Sequence, residues 1–475
     1  MMLKSKSLAI AALVVMCWAL DAGRLCAADR PNVLFIAVDD LNDWVRCLGG
    51  HPDCRTPHID RLAERGVLFT RSYCAAPACN PSRAALLTGI RPWKSGVYVN
   101  PQPWRQALPD AVTLPQHFMA NGYRVLGGGK IFHGRYRDAA SWDVYQKSFG
   151  DPKPTAKVAK DPHSRAGGVV WGKLDVNDSQ MSDYKVVSWA AEQLAQERDK
   201  PLFLACGVFR PHMPWQVPRK YYDMYPVDKI QMPPAMKDDL QDIPAAGVRM
   251  ARPQGDHATI LKTKNWRHAV QAYLASITFA DAQVGRLLDA LDKSAYRDNT
   301  IVVLWGDHGW HLGEKEHWRK FALWEEATRA PLIIAAPGVT KPQSVCSRTV
   351  DFMDIYPTLA DLCGLPIGDH LDGVSLRPWL EDPRRARLRP AVTTHGRNNH
   401  AVRTERFRYI RYADGSEELY DHDEDPNEWK NLAKNSEFAK YKADLAKWLP
   451  KQNAPDAPYD KTLRQSRNRG KQKTP

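Results

Sequence analysis

Past its first twenty residues the chain has no apolar run approaching the roughly eighteen residues that span a bilayer, so its body holds no membrane anchor. It has no Cys-x-x-Cys pair, which removes the zinc knuckle. It has no self-similar period of roughly 20 to 50 residues, which removes solenoids and propellers. Nor does it cluster its cations among aromatic platforms, as nucleic-acid-binding domains do. What it does have is ordinary globular usage: 43% hydrophobic and 25% charged residues with 29 glycines and 35 prolines, which excludes a disordered or fibrous bulk. Its 475 residues suit one large α/β domain with an appendage, or two to three domains of ordinary size.

The formal net charge of +13 is concentrated at the ends. Lys4, Lys6 and Arg24 lie in the first 27 residues, and Lys461, Arg464, Arg467, Arg469, Lys471 and Lys473 in the last fifteen. The remaining body is mildly basic, which suits an anionic substrate without requiring nucleic acid. The tail 461–475 is polar with no apolar period and is expected to be disordered. At the other end, two lysines precede thirteen mostly apolar residues, Leu8 to Leu20, and then Leu25-Cys26-Ala27-Ala28. This is the pattern of a secretory signal over residues 1–27, cleaved near Ala27, and it predicts a periplasmic or secreted protein. Leu25 before Cys26 lacks the small residue that lipidation needs. Seven cysteines then remain, an odd number, with Cys47 and Cys54 or Cys346 and Cys363 as candidate pairs.

Short apolar runs at Asn32 to Val38, Tyr123 to Leu126, Pro201 to Val208, Ile301 to Trp305 and Pro331 to Ala336 alternate with helical stretches, which predicts a sheet covered on both faces. The longest helix is expected over Trp266 to Lys293, where Val270, Tyr273, Ile277, Ala280, Val284, Leu287, Leu288 and Leu291 keep helical spacing. Segments 151–180 and 226–265, rich in Pro, Asp, Lys and Gly, read as long insertions that wall an active site. After Asp382 the pattern shifts to short strands at Phe407 to Tyr412 and Glu418 to Tyr420 and a helix around Ser436 to Leu449. The expected division is a catalytic domain over 28–382 and a small C-terminal α+β domain over 383–460.

The first strand ends in Asp39-Asp40 and a later one in Gly306-Asp307-His308. If the two are parallel neighbours, three carboxylates and an imidazole meet at the carboxyl edge of the sheet, where open α/β folds place ligands. Mostly oxygen donors favour a hard cation, Ca²⁺ or Mg²⁺. Cys79-Asn80-Pro81-Ser82-Arg83, with good helix formers after it and Gly89 beyond, describes a short helix beginning at Cys79, whose free amides favour an anion. The glycines at 127, 128 and 129 before Lys130 do not form a Walker A loop, because Arg124 and Ile131 stand where glycine and Ser or Thr are required.

The string at Cys79 matches C-x-P-S-R, and from Pro31 to about Leu449 the chain resembles the type I sulfatases of the alkaline-phosphatase-like superfamily. Asp307-His308-Gly309-Trp310 and Pro211-His212-Met213-Pro214 look most like the iduronate-2-sulfatase branch, Gly129-Lys130-Ile131-Phe132-His133 matches the family's G-K-x-x-H, and Lys320 fits its distal lysine. The resemblance implies a large mixed sheet sandwiched by helices with a smaller C-terminal domain. It implies that Cys79 is oxidised by a formylglycine-generating enzyme, and that Asp39, Asp40, Asp307, His308 and the modified Cys79 hold the metal. By the same resemblance Arg83 and Lys130 neutralise the modified residue, His133 sits beside it, and His212 and Lys320 face the sulfate and its leaving oxygen. The implied chemistry is attack on sulfur by a hydroxyl of hydrated formylglycine, departure of the alcohol, then elimination of sulfate as His133 takes a proton. The implied substrate is a sulfated oligo- or polysaccharide carrying 2-O-sulfated uronate. Another sulfated glycan, or a phosphonate or phosphate ester, is the alternative. Trp310, His395, Arg397 and His400 are candidate substrate residues, Arg being suited to bidentate pairing with carboxylate or sulfate.

Overall fold

In the computed structural model, which describes residues 30–460 and 462, eight strands form one sheet: β1 (Asn32–Val38), β2 (Val67–Tyr73), β3 (Arg124–Gly129), β4 (Val144–Gln146), β5 (Leu202–Val208), β6 (Thr300–Gly306), β7 (Leu332–Ala335) and β8 (Ser344–Asp351). Their spatial order is β8-β2-β7-β6-β1-β5-β3-β4. The signal segment and nearly all of the tail lie outside the described residues. The central strand β1 runs parallel to both neighbours, pairing Val38 with Val208 of β5 and with Gly306 of β6. β7 is antiparallel to β6 and β2, which makes the sheet mixed. Strands β2, β4 and β8 were not among the expected ones; β2 and β8 carry Thr70, Arg71, Ser347 and Arg348 on outer positions and lack a continuous apolar run.

Alternation along the central strands divides the core. Leu34, Ile36, Val38, Leu204 and Leu304 face the helix α3 (Trp266–Asp292), whose Val270, Ile277, Val284 and Leu288 are buried against them. Val33, Phe35, Phe203, Val303 and Trp305 face the other way, onto α1 (Cys79–Thr88) and α4 (Ile355–Leu362). Both faces are covered, so the parallel strands read as unbroken apolar runs. α2 (Ser182–Leu194) packs beside α3 on the first face.

The C-terminal part is a four-stranded antiparallel meander of β9 (Ala391–Thr394), β10 (His400–Arg403), β11 (Phe407–Arg411) and β12 (Glu417–Asp421), followed by α5 (Ala439–Ala446). A buried ion network fastens it to the larger part. Glu325 receives Tyr73 Oη at 2.8 Å, Arg403 Nε at 3.1 Å and the Arg408 guanidinium, while Glu428 receives His422 Nε2 at 2.9 Å and the Glu325 amide at 2.9 Å and forms an ion pair with Arg408. Every oxygen of the two carboxylates is occupied, so this network requires no cation. All seven cysteines of the described residues carry free thiols, so neither candidate disulfide is formed.

Candidate active site

Because β1 and β6 are parallel with Val38 opposite Gly306, the next residues, Asp39-Asp40 and Asp307-His308, leave the sheet edge abreast. Asp39 continues the ladder, its amide donating to Val208 O at 3.0 Å. Asp40 then turns into the left-handed region (φ 58°), a conformation costing a non-glycine residue about 1–2 kcal/mol. Three hydrogen bonds hold it there. Its amide donates to Asp307 Oδ1 at 2.9 Å, its carbonyl accepts from Tyr273 Oη at 2.7 Å, and the same hydroxyl accepts from the Asn42 amide at 3.0 Å. Tyr273 sits on α3, and its helical spacing reads only as core.

α1 begins at Cys79 and is buried along its whole length, ending at Gly89 in the left-handed conformation. Its first residue presents Sγ to His308 Nε2 at 3.4 Å, Lys320 Nζ at 3.0 Å, Lys130 Nζ at 3.7 Å and Asp40 Oδ1 at 3.7 Å. One turn on, Arg83 points beneath the cysteine. Its Nε donates to Asp307 Oδ2 at 2.9 Å, one terminal nitrogen to Asp39 Oδ1 at 3.0 Å, and the other to the Lys130 and Ile131 carbonyls at 2.5 and 2.9 Å. It makes no hydrogen bond to Cys79; its geometry is that of a strut between two strand ends.

Lys130 arrives through a tight crossing. Gly129 has φ 78°, and a Cβ there would lie 2.0 Å from the Gly207 carbonyl oxygen; a Cβ on Gly207 would lie 2.4 Å from the Lys130 backbone. The triple glycine therefore serves close approach of two strands, and it delivers Lys130 to an ion pair with Asp39. Lys320 Nζ meets Asp40 Oδ1 at 2.5 Å and lies 5.3 Å above the Trp310 ring. His212 donates from Nδ1 to the Met213 carbonyl at 2.6 Å, which aims Nε2 at Asp40 Oδ2, 3.8 Å away. Its side chain is 27% exposed, unlike the sealed carboxylates behind it.

Burial drives Cys79 toward the neutral thiol, but Lys130, Lys320 and His308 outweigh it and hold the thiol well below its ordinary value. The same contest at Asp39 is won by Lys130, leaving its carboxyl below the usual range, whereas at Asp307 burial prevails over His308 and Arg83 and raises it. His308 is raised because Asp307 overcomes burial. His133 is lowered by burial, with nearby Cys79 acting in the opposite direction, which favours the neutral imidazole. Lys320 is raised, Asp40 and Cys79 overcoming burial, and remains an ammonium.

The donor set fits a divalent cation. Ligand atoms of Asp40, Cys79, Asp307 and His308 lie within 4.8 Å of one another, as do those of Asp39, Asp40, Cys79 and His212, and Asp40 Oδ2 is buried without a hydrogen-bond partner. The sequence placed His212 with the sulfate rather than in this group. The four substrate candidates separate. Trp310 is 1% exposed and packs on Tyr273 and Trp215, so it supports Lys320 from below and does not offer a face to a sugar. His395 lies beside Phe321, 5.9 Å between rings. Arg397 is exposed and donates to the Asn453 carbonyl at 3.3 Å, whereas His400 is buried against Thr394 and Trp93 and belongs to the packing of the C-terminal sheet.

A mixed α/β sheet whose central strand ends deliver carboxylates around a helix-borne cysteine is the layout of a hydrolase, with donors placed for a divalent cation. The described residues contain no helix long and apolar enough to cross a membrane. The chain matches the Sulfatase family over residues 31–365 and the family described as N-sulphoglucosamine sulphohydrolase, C-terminal, over 313–454. It is 41% identical to a Formosa agariphila protein named sulfatase, over 90% of this chain and 87% of that one, and 31% identical to the Mus musculus iduronate 2-sulfatase, over 72% and 70%. Among solved structures, the phosphonate monoester hydrolase of Agrobacterium radiobacter shares the fold with TM-score 0.72 at 23% identity, covering 88% of this chain and 94% of that one. The chain belongs to the sulfatase family and is a sulfuric ester hydrolase.

Proposed function

We propose that this protein removes sulfate from a sulfated sugar, with a 2-O-sulfated iduronate or related uronate of a polysaccharide as its substrate. The observation that carries the reading is Cys79 at the buried start of α1, within 3.0 to 3.7 Å of Asp40, His308, Lys130 and Lys320. Conversion of Cys79 to formylglycine and addition of water to its aldehyde would supply a geminal diol as nucleophile, and Ca²⁺ held by Asp39, Asp40, Asp307, His308 and the modified Cys79 would supply a Lewis acid. The residues around them do the rest. Lys130 and Lys320 place two ammoniums where negative charge gathers on the sulfuryl oxygens. His212, the partly open ring of the group, and Lys320 stand toward the leaving oxygen and hold the proton it takes. His133, kept neutral by burial, accepts the proton whose loss releases sulfate. Arg83 holds Asp39 and Asp307 in register and takes no part in proton transfer. The uronate assignment draws support from the relative named iduronate 2-sulfatase. Residues 1–27 direct export.

The test is mass analysis of the tryptic peptide spanning Cys79, from protein co-expressed with a formylglycine-generating enzyme, alongside sulfate release from a panel of sulfated disaccharides. The expected result is replacement of the thiol by an aldehyde and release that Cys79→Ala abolishes. An unmodified thiol in protein that still hydrolyses esters overturns it. Competition between sulfate and phosphate esters separates the reading from phosphonate or phosphate ester hydrolysis, which the shared fold also accommodates.

A further inference from the structure

Lys320 is carried by an unusual stretch of backbone. Lys315, Glu316, Arg319 and Phe321 all have positive φ, at 54°, 47°, 78° and 76°. Four such non-glycine residues within seven persist only where the surroundings over-determine the conformation. The ends of the stretch are tied by pairing of His311-Leu312 with Trp318-Arg319, and by the Phe321 amide, which donates to Pro77 O at 3.1 Å just before the cysteine's helix. Three further attachments converge from one segment of the 226–265 insertion. Lys315 Nζ meets Asp239 Oδ1 at 2.7 Å with both side chains 2% exposed, Arg319 Nε pairs with Asp256 Oδ2 at 2.6 Å, and His317 stands between them. The His317 ring has the Ala251 carbonyl 2.7 Å from Nδ1 and the Lys320 carbonyl 2.9 Å from Nε2. It is therefore a buried bridge between the insertion and the backbone of Lys320, and it touches neither Cys79 nor the carboxylates.

We propose that the segment 239–256 is a brace that sets the position of Lys320, with His317 as the positioning residue at its centre. The inference rests on the reading that Lys320 faces the leaving oxygen. A neutral imidazole donates to one carbonyl only, so the two ring nitrogens are separable by substitution. His317→Gln keeps a donor near the Nε2 position, toward Lys320; His317→Asn keeps one near Nδ1, toward Ala251. A displaced Lys320 fails where a poor leaving group needs a proton and matters little where the leaving group departs unaided.

The experiment uses the full chain with converted Cys79, assayed on a sugar sulfate and on para-nitrophenyl sulfate, with hydrogen exchange of residues 313–321 followed in the same variants. For His317→Ala the expected result is a kcat loss of about 10- to 100-fold on the sugar ester, a much smaller loss on the aryl ester and an unchanged KM. Exchange of 313–321 rises, the melting temperature holds, and Gln restores more activity than Asn. Equal losses on both esters accompanied by a lower melting temperature, equal behaviour of Gln and Asn, or unchanged exchange each overturn the proposal. Lys320→Ala is the reference. If it shows no preference between the esters while His317→Ala still loosens 313–321, it is the role of Lys320 that fails and the brace that stands.

Discussion

Arg83 and Asp307 meet at 2.9 Å with neither side chain exposed, and the same guanidinium holds Asp39 at 3.0 Å. One planar fork thus joins the ends of two neighbouring strands under the cysteine. Removing one partner of a buried pair leaves charge without compensation, at about 3–5 kcal/mol. Arg83→Met is expected to lower stability by that order in urea unfolding, and Arg83→Lys to recover little, because a single ammonium does not reproduce the fork. A wild-type midpoint for Arg83→Met would refute the strut.

Tyr273 acts on the site without touching the cysteine or the carboxylates. Its hydroxyl links the Asp40 carbonyl to the Asn42 amide, and Tyr273→Phe leaves both buried groups unpaired. Supports of this kind change metal affinity by about 10- to 100-fold when removed. Calorimetric titration of chelator-treated protein with Ca²⁺ should show weakening of that size in Tyr273→Phe, and equal affinity would remove Tyr273 from the account.

Gly207→Ala inserts a methyl 2.4 Å from the Lys130 backbone. Overpacking at such a crossing costs about 1–3 kcal/mol, and the displaced ammonium should lower kcat by about 10-fold or more. Thermal unfolding and sulfate release, measured together, check both halves of the expectation.

His400 was a candidate for substrate recognition and is a core residue of the C-terminal sheet. Burial, aided by Arg411, pushes its imidazole from the ordinary 6.5 down to about 4. The unfolded chain therefore takes up a proton before the folded one does, so the stability this group contributes is complete above pH 6.5 and is lost as the pH falls toward 4. The shift corresponds to about 3 kcal/mol. Urea unfolding between pH 7 and 4.5 should show a shallower loss in His400→Leu than in the wild type, with KM for a sulfated sugar unchanged. A raised KM would return His400 to the substrate site.

The expected strand from Asn32 to Val38 is β1, and the long helix is α3 to within one residue, because a strand buried on both faces and a helix packed on a sheet write their burial directly into residue spacing. Strands β2 and β8 were not legible, since their exposed positions carry polar residues and only pairing with one another and with β7 makes them sheet. The cysteine helix, the carboxylate pairs and Lys130 were legible as local strings. Tyr273 and His317 were not: one is a helical core position and the other one residue in a polar run.

Local pattern alone therefore determined which residues form the central strands and where the cysteine helix starts, because those properties depend on neighbours a few positions away, while the family resemblance named the candidate side chains. Only the tertiary structure decided that Asp39 and Asp307 stand abreast, that Arg83 serves the carboxylates and makes no bond to the cysteine, that Trp310 and His400 are packed inside, and that an insertion grips the loop of Lys320. Each of these is a contact between residues far apart in sequence, selected by strand register and by the need to pair every buried charge.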